Sequence, residues 1–358
     1  MQEVITFDLP IPGPQISEIE RYLESRSVFV APFSQDARVV CSVSTYLNQR
    51  AIHNTTTRML IDRQILSFMK QVATGGPISD ADRKLVSAMM CFAILGHIQI
   101  EPNMAIYEYA DAITPDKAWR DFYIFKCADN LGFPLWHSLF LQTLSALPTA
   151  KRFRAQAQQT PPAVSFRQKL RLFNYCLPFV LRLALLERAG RRPLEKMIQY
   201  LDWVHDEYFF GTPGILFGNL FLSPSRERKM IKNVGSSDRS KRLSGIRNAC
   251  WDITFVQQWH EYVKKQPSTP YLWIACSNDR ALVRTAGRMF TPTVGTVEGV
   301  NAGLKKIFED DWGSRSGSKI FEHFCHLHRT REVARRPANR NLPSEHWEAF
   351  RKGLEAQV

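Results

Sequence analysis

The chain has 358 residues, and its 47 Lys and Arg against 34 Asp and Glu give a formal net charge of +13. Hydrophobic residues make up 44% and aromatics 11%, enough apolar mass for a sizeable core, which excludes a disordered chain. With only 18 Gly and 20 Pro, collagen-like and coiled-coil compositions are excluded too, and the positive balance points to an anionic partner, nucleic acid or an acidic membrane surface.

The first residues, Met1 to Asp8, lack the basic stretch and apolar run of a secretory signal. No window holds the roughly 18 apolar residues of a spanning helix. The most apolar segment, Leu172 to Leu186, is short and contains Arg182. The seven cysteines are scattered without a C-x-x-C pair, so a reducing compartment is expected. Together these features predict a soluble, cytoplasmic chain with no membrane partner.

Along the chain, residues 1–54 read as an N-terminal extension, with 28–44 irregular or in short strands. Arg58 to Asp62 is an apolar run ending in an acid. Ile65, Leu66, Phe68, Met69 and Val72 then follow at helical spacing, stopped by Gly75-Gly76, so the segment predicts strand, tight turn and helix. Ser79 is placed to cap a second helix, with Asp82 in its first turn. Pro102-Asn103 opens a third, which carries Glu108. From about 115 to 225 the pattern is helical and aromatic-rich, with breaks at prolines. Residues 233–245 read as an exposed basic loop, and Asn248 as the N-cap of a helix bearing Asp252 in its first turn. Tyr271 to Cys276 is a buried-strand run, followed by Ser277-Asn278-Asp279 and a helix from Arg280. Beyond 313 the chain is more polar, helical from about Ser344. Strands separated by helices imply an α/β fold with a parallel sheet.

The charge is concentrated. Residues 151–196 hold eleven basic residues against Glu187 and Glu195, a net +9, and residues 226–247 hold eight against Glu227 and Asp238, a net +6. The remainder nets −2, so one central region carries the basic character. So one-sided an excess favours a surface that binds a nucleic-acid backbone. Arg167, Lys169, Arg171, Arg191, Arg192, Arg239, Lys241 and Arg242 are the candidate contacts.

The acids outside that region carry the other signal. Asp62 and Asp279 each stand between an apolar strand and a helix, 217 residues apart in sequence. In parallel α/β sheets functional groups collect at the carboxyl ends of strands, although an Asp there also caps the following helix. Asp252 suits a helix dipole, and Glu108 lies on an otherwise apolar helix face. Carboxylates that converge repel one another unless cations neutralise them, and hard cations such as Mg²⁺ take oxygen ligands.

Met59-Leu-Ile-Asp62-Arg-Gln-Ile-Leu resembles the first motif of PIN-like nucleases, a strand-end Asp followed by a helix. The segment from Pro102 to Ala110 around Glu108 resembles their helical Glu motif, and the segment Arg247 to Phe255 around Asp252 their third motif. Trp273 to Leu282, with Asp279, is similar to the fourth, with Ser277 where the family usually has Thr. The resemblance implies a PIN-like parallel sheet flanked by helices, in two pieces at 55–114 and 247–312. Residues 115–246 would be a basic helical insertion, since 143 residues separate Glu108 from Asp252, and 313–358 a polar tail with a helix. It further implies that Asp62, Glu108, Asp252 and Asp279 bind Mg²⁺ or Mn²⁺ and cut phosphodiester bonds, most often in RNA. Asn248 and Ser277 would orient those ligands. The alternative is a non-catalytic module that binds nucleic acid or a protein partner, with the acids serving as caps; a homo-oligomer is compatible with either.

Three further signals are weaker. His323, Cys325, His326 and His328 lack a matching second ligand pair and read as the polar face of a helix rather than a zinc site. Gly211 to Gly218 is glycine-rich but lacks the Lys-Ser/Thr of a phosphate loop. The aromatic stripe through Phe173 and Phe179 reads as core.

Overall fold

The computed structural model describes residues 7–112, 115–148, 150–159, 171–208, 211–225, 230–289, 297–333 and 344–358. The chain forms two compact units, Met1–Lys169 with Gln258–Val283, and Leu170–Gln257 with Arg284–Val358.

The first unit is mixed α/β around an open four-stranded sheet of order β1-β4-β2-β3. Its strands are β1 (Phe29–Val30), β2 (Thr56–Ile61), β3 (Gln99–Glu101) and β4 (Tyr271–Cys276). β2 runs parallel to both neighbours, pairing Ile61 with Cys276 and Leu60 with Glu101, while β1 lies antiparallel on the β4 edge. The side chains of β2 and β4 are nearly all buried, as expected of parallel strands enclosed on both faces. The helices are α1 (Gly13–Arg26), α2 (Ala37–Val40), α3 (Val43–His53), α4 (Arg63–Thr74), α5 (Asp80–Leu95), α6 (Asn103–Ala112), α7 (Pro115–Asp129), α8 (Phe133–Phe140) and α9 (Ala150–Gln159).

Local chemistry sets the expected elements. Asp62 caps α4, its Oδ1 accepting from Ile65 N–H at 2.8 Å, and Gly75 ends the helix in the left-handed region at φ 63°. Ser79 caps α5, accepting from Asp82 N–H at 3.1 Å and donating to the Asp82 carboxylate at 2.6 Å.

Two boundaries differ from the sequence expectation. The described part of the expected extension, residues 7–54, joins the unit: Ile19, Leu23, Tyr46 and Leu47 are buried in its core, and Phe29 pairs with Cys276 in the sheet. Residues 115–169 are also part of this unit, with α7 packed on α4 and α8 on α5.

The second unit is helical. It contains α10 (Arg171–Arg188), α11 (Pro193–Asp206), α12 (Thr212–Leu222) and α15 (Val297–Trp312), with α16 (Ser314–Val333) and α17 (Ser344–Gln357). It also takes α13 (Arg239–Lys264) up to Gln257 and α14 (Arg280–Arg288) from Arg284. Phe173, Phe179, Tyr200, Trp203, Phe308 and Ile320 are buried in it, so the aromatic stripe is core. The expected tail supplies packed helices, α16 lying against α15 and α11 and α17 against α10. The glycine-rich segment becomes α12, where a Cβ on Gly218 would collide with the Tyr200 ring. Tyr200 in turn donates to the Gly214 carbonyl at 2.9 Å.

The expected loop at 233–245 is half helix. α13 starts at Arg239, because the Asp238 carboxylate accepts from the N–H groups of Ser240 (2.9 Å) and Lys241 (3.3 Å). Asn248 is therefore no N-cap, and Asp252 lies in the helix interior rather than its first turn. Among the described residues no helix is long and apolar enough to cross a membrane.

Candidate active site

β2 and β4 end side by side, and their final residues feed directly into α4 and α14. Asp62 N–H still donates to the Cys276 carbonyl at 3.2 Å, and Ser277 N–H donates to the Val28 carbonyl at 2.9 Å. These bonds hold both strand exits against the sheet. The buried Ser277 hydroxyl donates to Asp62 Oδ2, and its oxygen accepts from Asp279 N–H at 2.9 Å. One hydroxyl thus ties the two aspartates together across 217 residues of sequence.

The two carboxylates differ in surroundings. Asp62 is largely enclosed, and burial pushes its carboxyl up to about 6; hydrogen bonds from Ile65 and Ser277 oppose this shift, and the nearby Asp279 charge adds to it. Asp279 is exposed. Its Oδ1 caps α14 by accepting from Ala281 N–H at 2.8 Å and Leu282 N–H at 3.1 Å.

Glu108, on α6, is mostly buried and forms an ion pair with Arg63 at 3.2 Å. Arg63 directly follows Asp62 in sequence, as the first residue of α4. Glu101, at the carboxyl end of β3, was not singled out in the sequence. Burial raises its carboxyl, against the opposing effects of Asn103 N–H and Arg58. Its sequence signal is an acid ending the alternating stretch His97-Ile98-Gln99-Ile100 between Gly96 and Pro102. The structure therefore brings together Asp62, Ser277 and Asp279, while Glu108 pairs with Arg63 at the start of α4. Asp252 and Asn248 belong to the second unit, on α13. Among the described residues, no group of three or more His, Cys, Asp or Glu side chains is arranged to hold a metal ion.

Of the candidate nucleic-acid contacts, Arg171, Arg191, Arg192, Arg239 and Lys241 are exposed in the second unit. Arg167 and Lys169 lie outside the described residues. Arg242 requires correction. It is 7% exposed, and its guanidinium donates to the main-chain oxygens of Val358 (3.0 and 2.6 Å), Ser236 (2.6 Å) and Ser237 (2.8 Å). A cation so enclosed holds chain segments together and meets no phosphate. His323 lies on α16 and bonds Asp202 at 2.6 Å.

No family model, no curated protein and no solved structure matches this chain.

Proposed function

We propose that the chain is a metal-dependent endonuclease with a PIN-like core, acting on RNA in preference to DNA. The observation that carries this reading is the Asp62–Ser277–Asp279 linkage at the carboxyl ends of adjacent parallel strands, where open α/β sheets bind their ligands.

The donor set suits Mg²⁺ or Mn²⁺. Mg²⁺ binds through one or two carboxylates and completes its shell with water and substrate phosphate, so a full protein cage is not required. Asp62 and Asp279 would hold it, and it would supply hydroxide near neutral pH and stabilise charge developing on the attacked phosphodiester. Ser277 fixes the rotamer of Asp62 and the backbone at Asp279. Arg63, partly exposed and oriented by Glu108, would be a cation for a phosphate oxygen. Exposed Arg and Lys side chains of the second unit hold the polynucleotide backbone. Glu108 and Asp252 remain further candidate ligands by family resemblance alone.

A second reading has its own support: both aspartates serve fully as helix caps, as in a non-catalytic nucleic-acid-binding module. Cleavage of RNA and DNA with Mn²⁺ or with chelator, for wild type, Asp62→Asn and Asp279→Asn, separates the two. Cleavage that needs metal and drops by about 10²-fold or more in each variant is expected. Cleavage that ignores metal, or survives both substitutions, overturns the nuclease reading.

A further inference from the structure

In the first unit α7 packs on α4, the helix that Asp62 caps. Its inner face is Ala118, Asp121, Phe125 and Ala128, all buried. The opposite face carries Trp119, Arg120, Tyr123 and Lys126, spaced by the three- and four-residue steps that share one side of a helix. Both rings are half-exposed and both cations exposed. Trp119 rests on Phe122, ring centroids 5.4 Å apart, which fixes its plane. The Tyr123 hydroxyl donates to Gln156 Oε1 on α9 at 3.4 Å. Arg152, one turn before Gln156, is exposed and near enough for its charge to act on that hydroxyl.

The charge on this face is one-sided. Arg120, Lys126 and Arg152 have no ion-pair partner among the described residues. Of the acids on α7 with described side chains, Asp121 turns inward to Lys70 of α4 at 2.5 Å and Asp129 is half-buried, and α9 carries no acid at all. Bare cations beside aromatic rings are the combination that single-stranded nucleic acid engages, since cations follow the backbone and any base stacks on a ring. A duplex keeps its base faces to itself, and an acidic protein would use the cations but not the rings. We propose that the α7–α9 face binds a single-stranded polynucleotide, with Arg120, Lys126 and Arg152 meeting phosphates and Trp119 and Tyr123 stacking bases. The proposal rests on the nucleic-acid part of the function proposed above, not on cleavage, and it adds a contact surface in the unit that holds Asp62 and Asp279.

Binding to the full chain is measured by fluorescence anisotropy with chelator present, so that metal-dependent cutting does not enter. The probes are a labelled single-stranded RNA, its duplex, a strand of equal length without bases, poly-glutamate and phosphatidylserine vesicles. The intact single strand should bind tightest. The triple variant Arg120→Gln, Lys126→Gln, Arg152→Gln should flatten the dependence of log K on log salt by about 2, three contacts at about 0.7 each. Tyr123→Leu should weaken binding of the intact strand by at least about 5-fold and leave the strand without bases unaffected. Tyr123→Phe keeps the ring and should bind as wild type, and melts of the same samples check the fold. An unchanged slope in the triple variant overturns the proposal, as does a Tyr123→Leu loss that is absent or equal for both strands. Tighter binding of poly-glutamate or of the vesicles also overturns it, assigning the face to an acidic protein or a membrane. The two readings fail separately: cleavage that ignores metal removes the nuclease and leaves this binding in place, whereas metal-dependent cleavage with binding unchanged in every variant removes this surface alone.

Discussion

Asp62 is the residue where structure and chemistry pull in opposite directions. Its carboxylate is needed to cap α4 and to take the Ser277 hydroxyl, yet burial and Asp279 hold its proton up to about pH 6. Between the ordinary carboxylate range and pH 6 the folded chain binds more protons than the unfolded one. Asp62 therefore favours folding fully only at acid pH, and that contribution fades as pH rises through 6. Asn caps a helix as well as Asp and carries no charge to bury. Asp62→Asn should accordingly raise stability at pH 7.5 by about 1–2 kcal/mol, a few degrees in Tm, and the gain should vanish toward pH 4. Thermal melts of both proteins across pH 4 to 8 check this. A uniform loss of stability at every pH would show that the carboxylate is not under strain. Read with the cleavage assay, the experiment separates the two duties of one side chain, since a site kept for chemistry costs stability where a mere cap does not.

At the scale of elements, close packing and buried ion networks decide the second unit. The approach of α12 to α11 depends on Gly218, since any Cβ there meets the Tyr200 ring. Gly218→Ala should destabilise by about 1–3 kcal/mol through overpacking, while Gly190→Ala, where a Cβ meets nothing, should stay within roughly 0.5 kcal/mol. Denaturant unfolding of the two variants gives the comparison. Asp311 on α15 is fully buried and receives Arg284 at 2.9 Å, Arg288 at 2.6 Å, Ser225 at 3.0 Å and Asn219 at 2.6 Å. Asp311→Ala leaves two guanidinium groups facing each other without their shared counter-charge. The expected cost is about 3–5 kcal/mol, read as a lower unfolding midpoint.

These elements also show what a sequence reveals. The run β2–Asp62–α4–Gly75 was legible because every determinant is local: apolar strand, cap, amphipathic face, left-handed stop. The same holds for Ser79 and α5 and for β4. The link between Asp62 and Asp279 was legible only as a possibility, since pairing of distant strands leaves no local trace. α13 was misread because Gly245 and the serines resemble a loop. Gly245 is there because a Cβ would overlap the Lys232 carbonyl oxygen, a tertiary contact invisible in the sequence. The helices of residues 1–54 were missed for the same reason, as their stability comes from the core they join.

The whole molecule carries a net charge of +13, concentrated in two central stretches. Counting basic residues overstates the binding surface, because a guanidinium also serves as a structural fork. Arg242 donates to the backbone oxygens of Val358, Ser236 and Ser237, and Lys196 is buried against Glu187 at 3.3 Å. Arg171, Arg191, Arg192, Arg239 and Lys241 instead reach solvent. If these five hold a single-stranded polynucleotide, each phosphate contact removed should flatten the dependence of log K on log salt by about 0.7. The triple substitution Arg171→Gln, Arg191→Gln, Arg192→Gln should therefore reduce the slope by about 2, with Tm nearly unchanged. Arg242→Gln should behave in the opposite way. Its slope should match wild type, while the lost charged hydrogen bonds lower stability by roughly 2–3 kcal/mol. Fluorescence anisotropy over a salt series, paired with melts of the same samples, tests both at once. An unchanged slope in the triple variant would remove the second unit from the binding surface. The phosphate-binding role would then fall to cations of the first unit, with the partly exposed Arg63 first among them.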